Sequence, residues 1–245
     1  SRPMILYPAI DIMDGCCVRL RQGRFDELTR YSVFPAEALR QFQDEGAEWV
    51  HIVDLEGARA GTPRQHEMIV SLINDTELKL QVAGGIRDAS QIEFLLGEGV
   101  DRVVIGSLAV TSPGTVKEFL DRFGPERITL ALDVMILEEV PMVATSGWTE
   151  GSGRTLWEVA ELFPEARHLL VTDIRRDGMM GGPNLALIKE LITRLPNVAV
   201  QASGGVSSIR DLEELIEAGA AGAIVGKALW ERKFTLTEAL ALARA

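Results

Sequence analysis

The sequence predicts an α/β fold, a closed (β/α)8 TIM barrel with a two-fold half-barrel repeat. Three observations predict it. The chain has 245 residues, close to the ~250 typical of one eight-fold barrel. Short, nearly continuous apolar runs alternate with amphipathic helical patterns from end to end, as parallel strands covered on both faces require. Landmarks also recur at almost one offset. Gly84-Gly85 returns as Gly204-Gly205, Ile105-Gly106-Ser107 as Val225-Gly226-Lys227 and Pro63 as Pro183, each 120 residues later. Asp54 matches Asp173 at 119, and Asp11 matches Asp133 at 122. A doubly wound open sheet is the main alternative for alternating strands and helices; the repeat favours the barrel. No linker interrupts the chain, so 1–245 reads as one domain, with half-barrels near 4–124 and 125–245.

Strands are expected near 4–10, 48–53, 79–83, 102–106, 128–133, 168–172, 198–202 and 222–225. The helices between them carry start and stop signals. Pro35 opens one with Ala38, Leu39 and Phe42 on a face, and Gly46 ends it. Asp88 and Gln91 stand at capping-box spacing before Ile92, Leu95 and Leu96, and Gly99 closes. Ser112-Pro113 starts the next, stopped by Gly124-Pro125. Thr155 with Glu158 opens a helix ending at Pro164, and Asn184 precedes one carrying Leu185, Ile188, Leu191 and Ile192. Ser208 leads to Leu212, Leu215 and Ile216 before Gly219, and Thr235 with Glu238 opens the last helix.

Composition narrows the partners. Lys plus Arg total 25 against 36 Asp plus Glu, a net charge of −11. An acidic surface argues against nucleic acid and anionic membranes. A small anionic substrate stays open, because a few amides and one or two cations build a local positive field. Cys16 and Cys17 are adjacent, so there is no disulfide framework and no zinc spacing. His51, His66 and His168 form no metal motif, and no metal or organic cofactor is expected. No apolar run approaches the ~20 residues of a membrane span, and the opening Ser1-Arg2-Pro3-Met4 lacks signal-peptide shape. A cytoplasmic monomer is the expectation.

Two sets of residues carry chemistry. Gly84-Gly85, Gly106-Ser107, Gly204-Gly205 and Gly226-Lys227 each stand where a strand should turn into a helix N-terminus. Glycine there lets backbone amides approach an anion, and loops after the last two strands of a barrel are its usual phosphate site. The repeat supplies a second site; the competing reading is that these glycines only make tight turns. Asp11 and Asp133 end the first and fifth strands, which face each other across an eight-stranded barrel. A carboxylate ending an apolar strand there reads as catalytic, and two such groups divide acid and base work if their pKa values are pushed apart. Capping or ion pairing is the alternative.

Asp54, Asp173 and Asp177 are candidates for orienting substrate or supplying an acid, with loop bracing the competing reading for Asp54. His51 reads as a satisfied interior residue, His66 as loop surface and His168 as the start of a strand. Cys16 and Cys17 read as packing residues. Arg19 can reach a phosphate or make a surface ion pair. Trp148, in a long loop after the fifth strand, can stack on a flat ring or pack the loop.

Together the residues resemble the phosphoribosylformimino-aminoimidazole-carboxamide ribotide isomerases of histidine biosynthesis. The resemblance rests on Pro8-Ala9-Ile10-Asp11, Val18-Arg19-Leu20 with Gly23, His51-Ile52-Val53-Asp54-Leu55, Gly84-Gly85-Ile86-Arg87 and Leu132-Asp133-Val134. It continues through Ser146-Gly147-Trp148, Thr172-Asp173-Ile174 with Asp177-Gly178, and Gly204-Gly205-Val206, spanning nearly the whole chain. It implies an Amadori rearrangement of an aminoaldose to an aminoketose without metal or cofactor, on a substrate carrying two distant phosphates. It also implies Asp11 as general base at the sugar C2 and Asp133 as general acid at the ring oxygen. Asp177 is a rival acid, and Thr172 lies beside the reacting centre.

Departures bear on specificity. Ala83 stands where many members have a third glycine, and Met135 where arginine is frequent. A sister group that also isomerises phosphoribosyl anthranilate carries an arginine two residues before the loop tryptophan; here that residue is Ser146. The single-substrate enzyme is therefore favoured over the bifunctional one. The related cyclase subunit usually has a cysteine at the Ala9 position and a lysine at the Arg19 position. A non-catalytic phosphosugar-binding barrel would be marked by loss of an aspartate, and both are present.

Overall fold

Strands with two apolar faces must be covered on both, and a ring of strands inside a ring of helices does this without leaving an edge. The computed structural model of the chain, which describes residues 3–21, 24–145 and 150–245, has this form. Its strands in chain order are β1 (Ile5–Met13), β2 (Cys16–Arg21), β3 (Arg24–Arg30), β4 (Trp49–Asp54), β5 (Lys79–Ala83) and β6 (Arg102–Ile105). They continue as β7 (Ile128–Leu137), β8 (Val140–Thr145), β9 (Glu150–Thr155), β10 (His168–Asp173), β11 (Ala199–Ser203) and β12 (Gly222–Val225). Eight of them close a parallel ring in the order β1, β4, β5, β6, β7, β10, β11, β12 and back to β1. The expected barrel is present, and β1 and β7 stand opposite each other in it.

The helices are α1 (Pro35–Asp44), α2 (Leu55–Ala60), α3 (His66–Ile73), α4 (Ala89–Glu98), α5 (Leu108–Thr111), α6 (Pro113–Phe123), α7 (Leu156–Glu161), α8 (Leu185–Arg194), α9 (Ile209–Ala218), α10 (Lys227–Trp230) and α11 (Leu236–Arg244). Their ends follow local chemistry. Asp88, Thr155, Ser208 and Thr235 each close a capping box, and Asn184 accepts from the Leu187 amide. Such caps satisfy amides that a helix start leaves unpaired. Gly99 and Gly219 end α4 and α9 in the left-handed conformation.

Three features differ from the expectation. First, β1 and β7 run past the ring and fold back as antiparallel hairpins, β1–β2–β3 and β7–β8–β9. Asp11 and Asp133 therefore lie within long strands, at the level where the ring opens, and not at strand ends. Second, two helices, α2 and α3, follow β4, and His66 opens α3 where a surface loop was expected. Third, the turns after Gly106 and Gly226 hold only the four-residue helices α5 and α10.

Residues two apart on a strand share a face. Tyr7 and Ala9 turn into the ring and pack with Trp49, Leu170 and Ile224, beside Ala131. The alternate set, Leu6, Ile10 and Ile12, joins the layer between sheet and helices. The same parity carries Asp11 inward above Ala9, and Asp133 inward above Ala131.

Below them the interior is polar and closely bonded. Gln81 and Gln201, 120 residues apart, exchange two amide hydrogen bonds of 2.8 and 2.9 Å. Thr129 donates to the same Gln81 oxygen at 2.8 Å, and Gln81 Nε2 lies 3.0 Å from His51 Nδ1. Burial pulls the His51 pKa down to about 4, so the ring is neutral and accepts this bond. The Arg102 guanidinium donates to the Tyr7 hydroxyl at 2.8 Å and stacks over Trp49. Buried polar groups left unmatched cost ~1–3 kcal/mol each. Gln81→Leu is therefore expected to destabilise the chain, and Gln201→Leu to cost less in that background than alone. Denaturant titration of the four proteins checks this; additive costs would show the pair uncoupled.

Candidate active site

The barrel mouth collects three carboxyls. Asp11 on β1 and Asp133 on β7 face each other across the ring, and Asp177 enters from the loop after β10. Thr172 on β10 is in register with Asp133 on one side and Ser203 on the other, which puts it next to that carboxyl.

The three carboxyls act on one another. Burial pushes Asp11 up to about 7, and the Asp177 charge adds to the rise. Burial likewise pushes Asp177 up to about 7; the Asp133 charge adds to it and the Arg19 guanidinium opposes it. Like charges confined together cannot all ionise, so a proton stays in the group near neutral pH. Asp11 and Asp177 are thus raised alike and not pushed apart, and they form a coupled pair that holds an exchangeable proton near neutral pH.

Asp54 and Asp173 are not part of this set. Asp54 is fully buried and accepts from the amides of Gly57, Arg64 and Gln65 at 2.6–2.8 Å. Asp173 accepts from the Arg175 amide and from Asn184 Nδ2, and pairs with Arg176 at 3.7 Å. Both brace the loops behind the mouth, the alternative weighed for Asp54. Cys17 is buried and its thiol is pushed up to about 12, chiefly by burial, which removes it as a nucleophile. His168 opens β10 as expected and bonds Glu126 at 2.9 Å.

The glycine loops divide into two kinds. Gly84, Gly85, Gly204 and Gly205 have φ of 116°, 73°, 94° and 85°, in the left-handed region. A Cβ on Gly84 would collide with the Asp54 carbonyl oxygen, and one on Gly205 with that of Gly182. These pairs are therefore required by tight turns. The helices after them start only at Ala89 and Ile209, behind capping boxes, so neither pair sits directly on a helix N-terminus as expected. Gly106 and Gly226 differ. A Cβ on Gly106 would meet nothing within 4 Å, and one on Gly226 only the Ala9 Cβ at 4.0 Å. Their missing side chains leave open space at the mouth, beside the exposed Ser107 and the half-buried Lys227. Gly205→Ala is thus expected to destabilise by about 2 kcal/mol or more, while Gly226→Ala folds normally. Thermal melts of the two variants separate these outcomes; equal melting temperatures would contradict the assignment.

Two cations face a cavity of about 550 Å³ lined by Arg19, Glu27, Leu28, Thr29, Gly178, Met179 and Lys227. Lys227 Nζ donates to the Gly178 carbonyl at 3.1 Å and lies 3.7 Å from Glu231. Arg19 Nε donates to the Tyr31 hydroxyl at 3.2 Å, and Arg19 Nη2 to Thr29 at 3.4 Å. The two cations share this cavity with the carboxylate of Glu27. Trp148, Ser146 and Gly23 lie outside the described residues.

A profile of the family described as Histidine biosynthesis protein matches residues 5–235. The chain belongs to this family. A 1-(5-phosphoribosyl)-5-((5-phosphoribosylamino)methylideneamino)imidazole-4-carboxamide isomerase of Maricaulis maris (strain MCS10) is 52% identical over 243 residues, 98% of this chain and 99% of that one. Proteins of the same name from Francisella philomiragia, 47% identical over 239 residues, and Elusimicrobium minutum, 45% identical over 240, are covered over 99% and 100% of their lengths. Those names carry one isomerase activity, so the bifunctional alternative gains no support.

Sequence reasoning singled out neither Glu27, Leu28, Thr29 and Met179 of this cavity nor Tyr31 behind Arg19. Tyr31 meets Arg19 only because β2 and β3 pair as a hairpin, and no local motif announces that register.

Proposed function

We propose that the chain is an aldose–ketose isomerase of L-histidine biosynthesis. It converts the aminoaldose N'-(5'-phosphoribosyl)formimino-5-aminoimidazole-4-carboxamide ribonucleotide to its aminoketose, by acid–base catalysis. The observation that carries the reading is the meeting of Asp11, Asp133 and Asp177 in one mouth, with Thr172 in register beside Asp133, where burial raises Asp11 and Asp177. The near full-length similarity to isomerases of that name supports it.

The chemistry needs two proton transfers. An acid gives a proton to the ribose ring oxygen; the C1–O bond breaks, and the amine lone pair forms C1=N. A base then takes the proton from C2; the electron pair of that C–H bond forms C1=C2 while the C1=N pair returns to nitrogen, giving the enaminol. Protonation at C1 and loss of the C2 hydroxyl proton leave the C2 ketone. Asp11, the base that the resemblance implies, suits the C2 proton. Asp177 suits the acid role, because the Asp133 charge helps hold a proton on it near neutrality. Asp133 then serves the acid step through that charge, and Thr172 beside it can hydrogen-bond a sugar hydroxyl.

The two phosphates fit the two halves of the mouth. Gly204, Gly205, Gly226 and Lys227 serve one, together with Arg19; Gly84, Gly85, Gly106 and Ser107 serve the other. Because α5 and α10 are one turn long, loop amides and the two cations supply the positive field, more than helix dipoles do. Trp148 is assigned to stacking on the imidazole ring. The 120-residue correspondences support one domain built from two half-barrels, 4–124 and 125–245. The chain is read as a monomer. Among the described residues no helix is long and apolar enough to cross a membrane, and a cytoplasmic setting follows from the pathway.

The test is a direct assay of the purified chain with this aminoaldose and with phosphoribosyl anthranilate. Conversion of the first alone is expected. Turnover of neither by the folded protein would overturn the reading, and turnover of both would restore the bifunctional one.

A further inference from the structure

We propose that Tyr31 is a positioning residue for Arg19, locked in place by stacking on Trp230, so that one latch fixes both cations of the mouth. The proposal rests on the reading of the mouth as the isomerase site.

Arg19 stands on β2, the middle strand of the β1–β2–β3 extension beyond the ring. The outer strand β3 pairs only with β2, so the free edge that carries Tyr31 needs anchoring if it is to hold Arg19 still. Tyr31 follows directly on β3. Its amide donates to the Cys17 carbonyl at 2.9 Å, which fixes its backbone to the partner strand. Its ring lies flat on the Trp230 indole, with centroids 4.4 Å apart and planes at 11°. Trp230 is the last residue of α10, the turn that Lys227 opens. The stack therefore ties the hairpin after β1 to the turn after β12, and these strands are neighbours in the ring.

The Tyr31 hydroxyl then reaches Arg19 Nε at 3.2 Å, while Thr29 takes Nη2. Two nitrogens of the planar guanidinium are held, which sets its plane. A guanidinium already held loses less freedom when an anion binds. Burial raises the Tyr31 pKa above its ordinary value, so the phenol stays neutral and can accept this bond. Arg19 and Lys227 line the same cavity, and the latch sets the distance between the elements that carry them.

Tyr31→Phe keeps the ring and the stack and removes only the hydroxyl. For the aminoaldose, KM is expected to rise about tenfold, the size of one lost hydrogen bond to a charged group, with kcat changing much less. In an Arg19→Met background the same substitution is expected to change nothing further, because Tyr31 acts through Arg19. Trp230→Ala is expected to raise KM similarly, and Trp230→Phe to restore it. A proton resonance of Arg19 Nε, slow to exchange in the unmutated chain, is expected to be lost in Tyr31→Phe. An unchanged KM in Tyr31→Phe, or an equal effect with and without Arg19, would overturn the proposal. Failure of the isomerase reading shows instead in the unmutated chain, as absence of turnover while the Arg19 resonance persists.

Discussion

Asp11→Asn is expected to lower kcat for the aminoaldose by at least ~10², the low end for losing a general base, with KM little changed. The carboxyl faces inward above Ala9 on a strand whose other face is packed under helices, so an isosteric amide fits without moving the backbone. What is lost is the ability to take the C2 proton. Steady-state kinetics on the folded variant read the effect, and near-full activity would remove Asp11 from the base role.

The second large effect concerns the acid. The base needs Asp11 ionised and the acid needs Asp177 protonated, and both are raised to about 7. The kcat/KM profile of the unmutated enzyme should therefore be a narrow bell centred near pH 7, rising as Asp11 loses its proton and falling as Asp177 does. Asp177→Asn is expected to cost ~10² or more and to remove the falling limb from the residual activity. Asp133→Asn should also lower activity and move that limb to lower pH, because the charge that helps hold the proton on Asp177 is gone. A falling limb that survives Asp177→Asn and vanishes in Asp133→Asn would return the acid role to Asp133.

The same burial has a stability consequence with a definite sign. A carboxyl raised from 3.8 to about 7 by folding binds more protons native than unfolded across that window. Stability is therefore lost as pH rises through it, and the full loss is present above about pH 7. At about 1.4 kcal/mol per pH unit the ceiling is ~4 kcal/mol. Asp177→Asn is expected to melt higher than the unmutated chain at pH 8 and to lose that advantage at pH 4. A variant less stable at pH 8 would contradict the buried, raised carboxyl.

The ring itself was legible because its causes are local and periodic. Apolar runs gave six of the eight ring strands within a residue at each end, while β1 and β7 run three and four residues past their expected ends; Asp88, Thr155, Ser208 and Thr235 announced their helices through side chains that bond three residues ahead. The hairpin extensions were not legible. β2, β3, β8 and β9 lie beyond the ring; β3 and β9 carry no apolar run such as Val103-Val104-Ile105, and Pro141 interrupts the one in β8. The facing aspartates followed from strand count and repeat, but Asp177 could only be ranked once its loop was folded back over Asp133 and Arg19. The glycines show the limit most clearly. Gly84 and Gly226 look alike in sequence, yet one is held by a carbonyl 30 residues away in the chain and the other faces open space.

The most direct test of the divided acid and base is a carboxyl titration of the unmutated chain by carbon NMR with labelled aspartate. Two carboxyls are expected to titrate near pH 7 and to respond to each other, and in Asp177→Asn the Asp11 signal should move to lower pH while staying above 3.8. Aspartates that all titrate below about pH 5, as ordinary exposed carboxyls do, would contradict the account.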